Sequence, residues 1–171
     1  MEIVFLLLLV ALNAFFAASE IALISLNDNK IKVMAEDGHK KARQLLKLLG
    51  EPSRFLATIQ IGITLAGFLA SAFAADTFAE PLVELIKQTN VQISDSILKV
   101  VTVFIITLVL SYFTLVFGEL VPKRIAMTKA EPVAFAVVST LLVLSTLTYP
   151  FVKFLTDRKS TRLNSSHGII W

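Results

Sequence analysis

Apolar residues fall in four blocks separated by charged stretches. Three blocks, 3–26, 55–75 and 97–121, are long enough to cross a hydrocarbon core, which takes roughly 20 residues of helix. The fourth, 133–147, is shorter and runs into Tyr149-Pro150 and then Lys153. Residues 133–148 make about 24 Å of helix at 1.5 Å per residue, short of a core of about 30 Å. Pro150 also removes a backbone donor. The pattern therefore predicts an all-α integral membrane fold with three transmembrane helices. The segment 133–155 is expected to enter the inner leaflet, kink at Tyr149-Pro150 and return, as a re-entrant or interfacial element. Hydropathy alone would count it as a fourth span.

Charge fixes the orientation. Lys30, Lys32, Lys40, Lys41, Arg43, Lys47 and Arg54 outnumber the acids between the first two spans. The next connection holds Asp76, Glu80, Glu84 and Asp95 with Lys87, and Lys123, Arg124 and Lys129 follow the third span. Lys and Arg mark the cytoplasmic side. The N-terminus is thus expected outside, 27–54 in the cytoplasm and 76–96 outside. Within 28–50, Ile31, Met34, Ala35, Ala42, Leu45, Leu46 and Leu49 recur at helical spacing among the bases. That suits amphipathic juxtamembrane helix on the inner leaflet, with a break at Gly38 and an end at Gly50 and Pro52. A solvated connector is the plainer alternative.

The first block resembles a signal peptide only in position. It carries Glu2 and no early Lys or Arg, and it is longer than an h-region of about 7–15 residues, so a retained helix is expected. The tail from Asp157, DRKSTRLNSSH onward, turns abruptly polar and matches the in-frame translation of a common sequencing adapter. Residues 157–171 are therefore expected to be foreign to the native chain.

The chain is 56% apolar over 171 residues, against about 45–50% in soluble domains. It has no cysteine, which excludes thiolate metal sites and cysteine nucleophiles. His39 reads as a surface residue. The informative residues are polar groups inside the spans, because charge there is costly and marks a cavity or a partner. The first span carries Asn13, Ser19, Glu20 and Ser25. Glu20 lies roughly 9 Å from mid-span toward the cytoplasm at the helical rise; it either snorkels or serves a site. In the second span Gln60, Thr64, Gly67 and Ser71 share a stripe, and in the third Thr107, Ser111, Thr114 and Gly118 do so. Such stripes suit close helix packing or hard-cation ligands. Glu119 follows Gly118, and Pro122 cannot bond the Gly118 carbonyl four residues back. A freed carbonyl beside a carboxylate forms a candidate cation site, although Lys123 could instead pair with Glu119 at i,i+4. Carboxylate, hydroxyl, amide and carbonyl oxygens suit Mg²⁺ or Ca²⁺ rather than zinc or copper.

AFFAASEIALISL, IQIGITLAG and FGELVPKRIA, in that order, resemble the membrane domain of the CNNM/CorC (hemolysin-related) family across residues 1–156. The resemblance implies a homodimer in the cell (inner) membrane, a belt of juxtamembrane helices, and Mg²⁺ transport, described as Na⁺-coupled efflux. Carried over by motif, the ion site involves Glu119 and Gly118, Gln60 and Thr64, and Ser19 and Glu20. The chain departs from the family with Ala17 and Ala18 after the Phe pair, and with Gln60 and Thr64 where many relatives have Asn. The resemblance also implies downstream CBS-pair domains that bind adenine nucleotide. A secondary transporter, not an enzyme, is the expectation, with the bilayer as partner and no nucleic acid. Its rivals are a polyamine exporter with Glu20 as second anion, and a membrane anchor or sensor that regulates another transporter.

Overall fold

A computed structural model describes residues 1–88 and 94–163, with side chains up to residue 154. The helices are α1 (Glu2–Ile24), α2 (Asp28–Glu36), α3 (Lys40–Leu49), α4 (Pro52–Lys87), α5 (Asp95–Leu115), α6 (Val121–Thr128) and α7 (Ala130–Leu163), with a π-turn at Val116–Leu120 between α5 and α6. The described residues form no strand, so the all-α membrane fold stands.

Helix α4 extends well past the expected span, to 36 residues, about 54 Å at the helical rise. Its last turns, TFAEPLVELIK, are rich in good helix formers, and they carry the helix into the acidic connection despite Pro81. There Lys87 meets Asp95 at 2.8 Å across the connection to α5. The buried stripe of α4 is Ala66, Ala70 and Ala74. These small side chains let α1 and α5 approach closely.

Pairings fix the relative directions. Phe5 stacks edge-on with Phe73, and Phe16 packs on Gly62, so α1 and α4 run antiparallel. Asn13 meets Gly118 and Glu20 meets Lys123, so α1 runs parallel to the third span. This is the down-up-down order that the charge pattern demands.

The basic stretch is two amphipathic helices, not a solvated loop. Asn27 caps α2 by accepting from Lys30 N at 3.2 Å. Gly38 separates α2 from α3 with φ +94°, a left-handed conformation that glycine adopts without strain. The buried faces, Ile31, Ala35, Ala42, Leu45 and Leu48, join Leu23, Phe55 and Ala126 in the main apolar core. That core lies at the basic end of the bundle.

The expected return at Tyr149-Pro150 is overturned. The chain does not turn back at Tyr149-Pro150: α7 is one helix through Pro150. Among the described residues, 130–154 are long and apolar enough to cross a membrane by length and composition, as are α1, α4 and the continuous stretch Asp95–Thr128. A proline within a helix removes one hydrogen bond, and α7 offsets that loss by packing. Ala134, Val138 and Leu141 are buried in the core. Arg54 reaches the Ser145 carbonyl, and the Thr58 and Thr148 hydroxyls meet at 2.8 Å. The tail expected to be foreign lies outside the described side chains and, beyond residue 163, outside the described backbone.

Candidate cation site

The third span carries the centre of the site. At the π-turn the Val121 N–H bonds the Val116 carbonyl, five residues back rather than four, as in other π-turns, which occur frequently at functional sites. Pro122 has no N–H for the Gly118 carbonyl. That carbonyl accepts instead from Asn13 Nδ2 at 3.1 Å. Asn13 is 3% exposed, so one amide fastens α1 to the irregular turn. The Gly118 carbonyl is therefore partnered, whereas the sequence had left it free.

A cleft of about 500 Å³ opens beside this turn. Asn13 of α1, Thr64, Gly67 and Ser71 of α4, and Ser111, Thr114 and Glu119 of the third span line it, together with the apolar Ile63, Phe68, Leu110 and Leu115. The polar stripes of two spans thus face each other across one space, with a carboxylate at its edge. Asn13 and Thr114 each also carry a buried oxygen without a hydrogen-bond partner, Asn13 Oδ1 and Thr114 Oγ1, beneath the cleft surface. Gly67 meets nothing within 4 Å along its Cβ direction. Within the protomer its smallness therefore opens the cleft rather than packing a helix.

The predicted residues divide. Thr64 and Glu119 line the cleft. Gly118 adjoins it through Asn13. Gln60 is exposed and outside the lining; its carbonyl accepts from Thr64 Oγ1 at 2.8 Å. Ser19 is fully buried, and its hydroxyl donates to the Phe15 carbonyl at 2.6 Å. Glu20 also stands outside the lining. No Lys or Arg adjoins Glu20 in sequence, yet Lys123 Nζ lies 3.2 Å from its Oε2. The same ammonium is 2.8 Å from Glu119 Oε1. Glu119 therefore pairs at i,i+4 and also lines the cleft. Sequence reasoning noted Asn13 as polar but gave it no role. Its signal was a mid-span amide in a chain whose Pro122 leaves a carbonyl in need of a donor. Among the described residues no three His, Asp or Glu side chains gather to hold a metal, and Glu119 is the one carboxylate among the residues that line the cleft.

The family model for the cyclin M transmembrane N-terminal domain (CNNM) matches residues 3–163. A UPF0053 protein of Synechocystis is 36% identical over 155 residues, covering 91% of this chain and 34% of the relative. The UPF0053 protein YhdP of Bacillus subtilis is 30% identical over 172 residues, 99% of this chain and 38% of the relative. The UPF0053 inner membrane protein YfjD of Escherichia coli is 31% identical over 141 residues, 82% of this chain and 29% of the relative. The chain spans about a third of the length of these relatives.

Proposed function

The chain belongs to the CNNM transmembrane-domain family, and from that premise we propose that it is the membrane domain of a secondary transporter for Mg²⁺ or a similar divalent cation. The carrying observation is the cleft that brings Glu119 together with Asn13, Thr64, Ser71, Ser111 and Thr114 of three spans. A hard divalent cation takes oxygen ligands and, in the case of Mg²⁺, keeps several waters; carboxylate, amide and hydroxyl groups around about 500 Å³ meet both needs. One carboxylate rather than three keeps binding weak enough for release, which transport requires. Export from the cytoplasm, Na⁺ as the coupling ion and inner-membrane location complete the reading. In it the N-terminus is outside and the α2–α3 belt lies on the cytoplasmic leaflet.

The transporter would work as a homodimer. Thr64 and Ser111 are exposed on the single chain although they line the cleft, and polar groups facing lipid tails are costly. A second copy would close that side. Downstream CBS-pair domains binding adenine nucleotide belong to the same reading. A polyamine exporter is less well supported, because its second anion, Glu20, stands outside the cleft lining. The test is flux through proteoliposomes of the full-length protein with Mg²⁺, Ca²⁺ and putrescine in parallel. Saturable Mg²⁺ flux with no putrescine flux is expected. Putrescine flux without Mg²⁺ flux would establish the polyamine reading, and no flux of any cation would favour an anchor or sensor.

A further inference from the structure

We propose that Lys123 is a tethered competitor of the transported cation, and that Glu20 is the acceptor that receives Lys123 when the cation is bound. The inference rests on the reading of the cleft as the cation site. Three charged side chains form a chain across two helices: Glu20 on α1, Lys123 on α6 and Glu119 on the π-turn. The ammonium sits 3.2 Å from Glu20 Oε2 and 2.8 Å from Glu119 Oε1. All three side chains are half-buried, at 24%, 26% and 33% exposure, so their mutual attraction is less screened than on an open surface.

Of the two carboxylates, only Glu119 lines the cleft. Lys123 lies on the other side of it, toward α1. A divalent cation on Glu119 would stand next to an ammonium bonded to the same carboxylate, and like charges at such range repel. Lys123 has three donors on a flexible four-carbon stem. It can leave Glu119 and remain bonded to Glu20 with no backbone movement.

The exchange leaves no carboxylate bare. Without the cation the three side chains carry a net charge of −1, and Lys123 serves both acids. With the cation bound, Glu119 faces the ion and Lys123 neutralises Glu20. On release Lys123 returns, which limits affinity and favours departure. Glu20 therefore positions Lys123 and does not ligate the ion. This account explains why an acid outside the cleft lies within reach of the site.

The experiment measures Mg²⁺ affinity of the full-length protein in nanodiscs by isothermal titration calorimetry. Coupling energies between neighbouring sites commonly correspond to 5–150-fold changes in affinity. Lys123→Met should tighten Mg²⁺ binding at least about fivefold, at the low end of that range. Glu20→Gln should weaken binding by a similar factor, because Lys123 then stays on Glu119. In the Lys123→Met background Glu20→Gln should have no effect, which a merely structural role for Glu20 would not produce. Should Lys123→Met fail to fold, Lys123→Gln carries the same test. If wild type binds Mg²⁺ and Glu119→Gln abolishes binding, but the Lys123 and Glu20 variants leave the affinity unmoved, the exchange is refuted while the cation site stands. If wild type and Glu119→Gln give the same heat, the cation site itself is refuted.

Discussion

Asn13 shows how far single residues can be read from the chain. Pro122 told the sequence that the Gly118 carbonyl lacks its helical donor. It could not tell where a new donor would come from, since Asn13 lies 105 positions away and local rules do not reach that far. Lys123 was legible as a partner of Glu119, at i,i+4. Its contact with Glu20 depends on the parallel packing of α1 against α6, which no spacing encodes. We expect Asn13→Ala to lower stability by about 1 kcal/mol, the size of an interhelical hydrogen bond in a membrane protein, with the loss read as a shift in thermal unfolding in detergent. Asn13→Asp, which replaces the Nδ2 donor with a carboxylate oxygen facing the Gly118 carbonyl at a buried position, should lose more than Asn13→Ala, because an unpaired charge inside a span is costly.

The helices themselves were largely legible, because hydrophobic run length is a strong signal. The boundaries failed where tertiary packing or local propensity overruled a breaker. Pro81 sits inside α4 and Pro150 inside α7, and neither ends its helix. Within the protomer the tight α1–α4 contact falls at Gly62 rather than at Gly67. A Cβ added at Gly62 would stand 2.4 Å from the Phe16 ring, whereas one at Gly67 meets nothing within 4 Å. Gly62→Ala should therefore destabilise the α1–α4 contact by about 1–3 kcal/mol, the usual cost of overpacking, and Phe16→Leu should recover part of it. Gly67→Ala should unfold at the parent temperature. Equal unfolding temperatures for Gly62→Ala and Gly67→Ala would show that α1 does not press on α4 there. In the belt, Gly38→Ala forces a Cβ into a left-handed conformation at φ +94°, and a loss of about 1 kcal/mol is expected, read by the same thermal unfolding.

At the scale of the whole molecule, the asymmetry of charge and the placement of the core agree. The basic belt α2–α3 is held to α7 by its apolar face, which forms the core, with Lys30 and Glu131 at 2.6 Å and Lys41 on the Phe135 carbonyl at 2.8 Å as exposed contacts at the rim. Because the chain has no cysteine, single cysteines report sidedness cleanly. Lys40→Cys should react only from the cytoplasm and Asp76→Cys only from outside; the reverse labelling would invert the topology. The central claim concerns the cleft, and flux through the Glu119→Gln variant tests it most directly. A dehydrating divalent cation needs anionic compensation, and Glu119 is the carboxylate that the cleft offers. The account predicts that full-length Glu119→Gln, inserted and folded like the parent, reduces Mg²⁺ flux in proteoliposomes to the protein-free background. Parental Mg²⁺ flux through that variant would contradict it.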